Sequence, residues 1–186
     1  MTVQKAGTEV SYTITYLEMD ARPNYGFPRL PVASTAALLR AEDPPIWYFL
    51  ALYDAVGRDY AWEDMHSLPR AEVAAQLDRS ILYTLSEKGW PHGFFVLEPT
   101  GDGTVDLAYF GLVPEAVGSG LGTWLMQTAI LTAWEQEGTE RVTVNTCTLD
   151  HPRALAVYQK NGFKPVRREE TSRVLTRDRD LSRIPS

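Results

Sequence analysis

Cysteine is nearly absent: Cys147 is the single one in the sequence. An intramolecular disulfide is thereby excluded, and no Cys/His group has the spacing of a zinc site, so no metal is expected and a reducing, cytoplasmic setting is. Long apolar runs are missing too. No uninterrupted stretch approaches the roughly 20 apolar residues that cross a bilayer, and Met1–Glu9 is polar with a lone Lys5. Neither export nor membrane insertion is expected. Positive charge is not in excess, since the formal net charge is −6. That balance argues against a general affinity for nucleic-acid phosphates or anionic lipid, so neither nucleic acid nor membrane is an expected partner. Repeats, low-complexity tracts and linkers are lacking as well, and 186 residues at 44% hydrophobic content read as one domain over 1–186.

What is present is a succession of short elements. Val10, Tyr12, Ile14 and Tyr16 alternate with polar residues, the period of a strand with one buried face. Pro23, Pro28, Pro31, Pro44 and Pro45 then punctuate an irregular wrap, within which Ser34–Arg40 is expected as one short helix. Helices are expected at Ile46–Val56 and Arg70–Leu77, and strands at Ile81–Ser86, His92–Leu97 and Thr104–Val113. A long helix follows the glycines at 118–122 and stops at Gly138. Beyond it come a strand at Arg141–Thr146, a helix at His151–Lys160 and a final strand pair at Phe163–Arg168 and Ser172–Thr176. This order describes a mixed sheet flanked by helices, α/β at its boundary with α+β.

The run Val117-Gly118-Ser119-Gly120-Leu121-Gly122 lies between a strand and a helix start. The first amides of a helix lack partners and its dipole is positive there, so a phosphate can settle if glycines let it approach the backbone. Glycines in that place also serve close strand–helix packing. A nucleotide-hydrolysing loop would need Gly-Lys-Ser/Thr, whereas Thr123 and Trp124 follow Gly122. The dinucleotide fingerprint needs G-x-G-x-x-G, and the spacing here is two and two.

Downstream, Pro152 suits a first helical position, which places His151 at the N-cap, and Gly162 suits the end. His151, Ala154 and Tyr158 then share one helix face. Tyr158 has two readings there: a core ring with a satisfied hydroxyl, or a proton donor to a departing thiolate.

Together, the glycine loop and the segment from His151 to Phe163 resemble the GNAT superfamily of acetyltransferases. Their motifs are Q/R-x-x-G-x-G/A and N-x-x-A-x-x-x-Y-x-x-x-G-F, and the likeness covers residues 104–166. It implies a twisted, mostly antiparallel sheet of about seven strands in which the two strands flanking the glycine loop splay apart. It implies acetyl-CoA as cosubstrate, with backbone groups of Leu112 and Val113 along the pantetheine arm. By the same likeness Val117, Gly118, Ser119, Gly120, Leu121, Gly122 and Thr123 hold the pyrophosphate, His151 caps its helix or bonds the cofactor, and Tyr158 protonates the thiolate. Two positions depart from the family pattern: Val117 replaces arginine or glutamine, and His151 replaces asparagine.

The implied reaction is direct attack of a primary amine on the acetyl carbonyl. Asp106, Tyr109, His92 or a water remain open as the base. The acceptor, a small molecule or a peptide amine, would meet the helices that carry Trp47, Tyr48, Tyr53, Tyr60 and Trp62. A noncatalytic coenzyme A-binding domain of the same fold is the alternative, and the chain is expected as a monomer or homodimer.

Overall fold

A computed structural model describes residues 3–184. Its frame is a seven-stranded sheet ordered β3-β4-β5-β6-β7-β2-β8. These strands are β2 (Glu9–Met19), β3 (Ala37–Ala41), β4 (Ile81–Glu87), β5 (Trp90–Pro99), β6 (Thr104–Leu112), β7 (Arg141–Cys147) and β8 (Lys164–Val174). Every neighbouring pair is antiparallel except β6 and β7. A separate two-stranded ribbon joins β1 (Val3–Gln4) to β9 (Arg179–Asp180).

The helices divide between the two faces. On the first lie α4 (Leu121–Trp134) and α5 (Ala154–Lys160). Leu121, Leu125, Ala129 and Ile130 of α4 share one core cluster with Val105 and Leu107 of β6 and Val142 and Val144 of β7. Burying each such leucine stabilises the fold by about 1.5–3 kcal/mol. On the second face lie α1 (Ile46–Gly57) and α3 (Arg70–Arg79), with the short α2 (Asp64–Ser67) between them. Phe49, Tyr53, Val56, Val73 and Leu77 pack there on Leu82, Phe94 and Val96. Among the described residues no helix is long and apolar enough to cross a membrane.

Three local expectations are corrected. Residues 34–40 do not form a helix; Ala37–Ala41 is the edge strand β3, paired to β4 from Ala37↔Ser86 to Ala41↔Leu82. Its small and aliphatic residues suit a helix locally, and the ladder overrides that preference. The expected final strand pair is one continuous strand, β8, whose partner throughout is β2. The helix bearing Tyr158 starts at Ala154, with Arg153 in the N-cap position instead of His151.

The strand β2 therefore lies between β7 and β8, and the proline-punctuated segment after it returns the chain to the opposite sheet edge. On the way it is fastened to α4: Trp124 Nε1 donates to the Pro28 carbonyl at 2.9 Å, and an ion pair joins Arg22 to Glu135.

Candidate active site

The parallel pair β6–β7 holds over three rungs only, Thr104↔Arg141, Val105↔Val142 and Asp106↔Thr143. Beyond Asp106 the strands part, so the β7-facing edge of β6 is left without a ladder. On its other edge β6 remains paired with β5, and Val113 N–H donates to the His92 carbonyl at 3.0 Å. Antiparallel pairs alternate between bonded and non-bonded rungs. With Val113 and His92 on a bonded rung, the next rung, Gly93↔Leu112, is non-bonded. The N–H and C=O of Leu112 hence point away from β5 into the splay. Phe110, two residues earlier, repeats that orientation. The register also slips between Val96 and Leu97, passing over Ala108.

At the open end of the splay the chain makes a 3-10 turn at Pro114–Ala116 and enters α4 through the glycines. Gly118 and Gly120 have φ of +87° and +83°, a left-handed backbone that costs other residues on the order of 1 kcal/mol. A Cβ at either would meet nothing within 4 Å, so the space beside both Cα atoms is open. The loop's amides fall into two sets. Val117 N–H donates to Pro114 at 3.2 Å, Ser119 N–H to Ala116 at 3.3 Å, and Leu121 N–H to the Ser119 hydroxyl at 3.4 Å. Those of Gly118, Gly120, Gly122 and Thr123 have no acceptor among the described residues. These four, at the positive end of a 14-residue helix, make an anion cradle. The Val113 amide is committed to His92, and the Val117 side chain stands half-exposed at 47%.

Tyr158 projects from α5 into the first-face cluster, where its ring meets Phe163 edge-on at 5.9 Å between centroids. Its hydroxyl makes no hydrogen bond among the described residues. Burial, followed by the negative charges of Asp150 and Asp106, pushes its ionisation far above the ordinary tyrosine value. The phenol consequently keeps its proton. His151 lies at the turn before α5, where its Nδ1 accepts from the Arg153 amide at 3.1 Å. Burial and then Arg153 lower its proton affinity, which favours the neutral ring that this bond requires.

The three candidate bases differ in their surroundings. His92 is buried against Trp90, with ring centroids 3.8 Å apart, and its Nδ1 lies 3.2 Å from the Trp90 carbonyl. Its Nε2 is 3.8 Å from Glu87, so both ring nitrogens face partners within the β4–β5 hairpin. Tyr109 stands past the parting point, and its ionisation is pushed far up by burial and then by Glu98. Asp106 sits on the last shared rung, where Thr143 Oγ1 donates to it at 2.5 Å. Burial raises its proton affinity, the Thr143 bond opposes that shift, and Glu98 adds to it. A carboxyl moved toward neutrality at the root of a cleft is suited to take up a proton.

Trp62 is among the aromatics expected to meet the acceptor, but its partner Asp150 carried no sequence signal. Trp62 Nε1 donates to Asp150 Oδ1 at 3.1 Å, and the indole meets the Tyr53 and Tyr109 rings at a tilt, with centroids 5.4 and 5.6 Å away. Asp150 also accepts from the Thr146 hydroxyl at 2.7 Å and from the Cys147 amide at 2.9 Å. No motif links positions 62 and 150; only the aromatic run around Tyr60 and Trp62 hinted at a wall. Of the other aromatics, Tyr53 is buried and Trp47 is 67% exposed at the start of α1. Among the described residues no group of three His, Cys, Asp or Glu side chains is placed to hold a metal ion.

No curated protein matches the chain. Solved structures do, and the three described next are 15–19% identical. A functionally unknown conserved protein from Staphylococcus epidermidis aligns at a TM-score of 0.62 and 15% identity, over 92% of this chain and 63% of its own. A GCN5-related N-acetyltransferase from Kribbella flavida aligns at 0.58 and 17%, over 86% and 56%. A tandem GNAT protein from the clavulanic acid biosynthesis pathway aligns at 0.63 and 19%, over 87% and 53%. The chain thus spans between about half and two thirds of the length of these structures. They share its mixed sheet and its flanking helices. The family model described as the acetyltransferase (GNAT) family matches residues 33–163, a stretch that holds the splay, the glycine cradle and Tyr158. The chain belongs to the acetyltransferase (GNAT) family.

Proposed function

We propose that the chain moves an acetyl group from acetyl-CoA to a primary amine by direct attack. The observation that carries this reading is the set of free amides at Gly118, Gly120, Gly122 and Thr123, continuous with the unpaired edge of β6 that leads back to Asp106. The cradle suits a pyrophosphate, and the outward N–H and C=O groups of Phe110 and Leu112 suit an amide-bearing arm laid along the splay as an added strand. Acetyl-CoA, when bound, supplies the activated acyl group.

Each protein group has a defined task. Asp106, directly or through water, takes the proton that the ammonium must lose before its nitrogen lone pair can form the new N–C bond. As the C–S bond breaks, Tyr158, held protonated by burial, gives its proton to the departing sulfur. The nitrogen, cationic once the N–C bond has formed, loses its second proton through water to the Tyr158 phenolate, and Asp106 returns the first to solvent, so the amine ends as the amide, the thioester as a free thiol and Tyr158 as the phenol. The committed Val113 amide holds β6 to β5, and His151 fixes the start of α5, so both position the machinery.

Release of free thiol from acetyl-CoA across a panel of primary amines tests the reading, alongside calorimetric titration of acetyl-CoA. Binding with amine-dependent release supports it. Binding without release for any amine would leave a coenzyme A-binding domain, and stabilisation by NAD with none by acetyl-CoA would reject both.

A further inference from the structure

We propose that Trp62 is the specificity-determining side chain for the acceptor, because it closes the second face of the splay by bonding to Asp150 across it. This rests on the transferase reading above. The first face of the splay is filled by α4, α5 and the Tyr158 ring, so an amine arrives from the second. There Tyr109, on the β6 arm, touches the indole at 5.6 Å. Asp150, just beyond the β7 arm, takes the indole N–H at 3.1 Å. One side chain thus joins both arms, at Tyr109 three residues past Asp106 and at Asp150 past the end of β7.

The backbone is shaped around that ring. A Cβ at Gly57 would lie 2.3 Å from the Trp62 ring atoms, so the last residue of α1 has room only for hydrogen. Ala61 adopts φ of +58° and turns the chain back toward α1, and Trp62 N–H donates to the Gly57 carbonyl at 3.1 Å. The segment is braced from the far side of the sheet. Arg173 donates to the Ala61 carbonyl and Arg177 to the Trp62 carbonyl, both at 2.8 Å. Arg179 ties the turn before Trp62 to the segment that carries Asp150, donating to the Asp59 carbonyl at 3.0 Å and the Leu149 carbonyl at 2.7 Å. A wall so fixed yields little to a ligand. Slender primary amines pass beside the indole to the acetyl carbon, and amines with a ring or a branch next to the nitrogen must displace it.

The test compares ethylamine, benzylamine and α-methylbenzylamine, with acetyl-CoA as donor, in wild type, Trp62→Phe and Trp62→Ala. The kcat/KM for benzylamine relative to ethylamine is expected to rise about tenfold in Trp62→Ala, and less in Trp62→Phe, which keeps a ring and loses the N–H. The KM for acetyl-CoA stays unchanged, which general loosening of the fold would not leave so. A constant ratio in a wild type that turns over overturns this inference alone. Thiol release by none of the three proteins with any amine overturns the transferase reading and this inference with it. If Trp62→Ala does not fold, the ratio in Trp62→Phe decides.

Discussion

The Thr143 hydroxyl donates to the Asp106 carboxylate on the rung after which β6 and β7 separate. A carboxyl is therefore anchored at the root of the opening, where burial disfavours its charge. Its proton affinity is higher in the folded chain than in the unfolded one. The stability it contributes is full below the ordinary carboxylate value and is lost as pH rises through the raised one. Asp106→Asn, neutral and still able to accept from Thr143, should gain on wild type as pH rises from near 3, below the ordinary carboxylate value, to near 7. Urea unfolding at the two values checks this. Turnover of the same variant should fall, and its acidic pH limb should disappear.

Tyr158→Phe should reduce kcat by about 10²–10⁴-fold, the usual range for loss of a general acid, with acetyl-CoA affinity nearly unchanged. Among the described residues the hydroxyl has no partner to lose, so the melting temperature should hold. Steady-state kinetics with calorimetry separates the outcomes, and an unaltered kcat would remove Tyr158 from the acid role.

Gly120→Val should weaken acetyl-CoA binding far more than it disturbs the fold. The backbone there has φ of +83° and open space beside it, so the expected stability loss is limited to about 1–2 kcal/mol of left-handed strain. The new side chain stands in front of the free amides. A lowered melting temperature with unchanged affinity would contradict the cradle.

Gly57→Ala should cost about 1–3 kcal/mol, the range for forcing extra volume into a packed site, because the added carbon meets the Trp62 ring at 2.3 Å. Chemical denaturation gives the number. The displaced indole should also change the tryptophan emission, and the same variant carrying Trp62→Ala should recover part of the loss, since the clash is gone.

Much of the site was legible because it is local. The glycine loop, the helix after it and the Tyr158 segment each lie within a short window whose spacing reflects one backbone geometry. The splay could be expected only through the family likeness, since it depends on where β6 and β7 stop pairing. Two elements misled for identifiable reasons. Ala36 to Leu39 has good helix formers, yet pairing with β4 decides its state. The run Glu169-Glu170-Thr171 reads as a break between two strands, but on an edge strand exposed on both faces no alternation is required of it. The Trp62–Asp150 bond spans 88 positions, and no window shows it.

The place of β2 sets the order in which this sheet can be completed. Its rungs run from Glu9↔Val174 to Met19↔Val142, so β2 has no neighbour until more than a hundred further residues have been made. Such distant pairing raises contact order and slows folding. While β2 waits, its Val10, Tyr12, Ile14 and Tyr16 are exposed to other chains. Removing the segment before Asp20 would leave β8 with nothing to pair against, so the amino-terminal stretch acts as the keystone of the far half of the sheet.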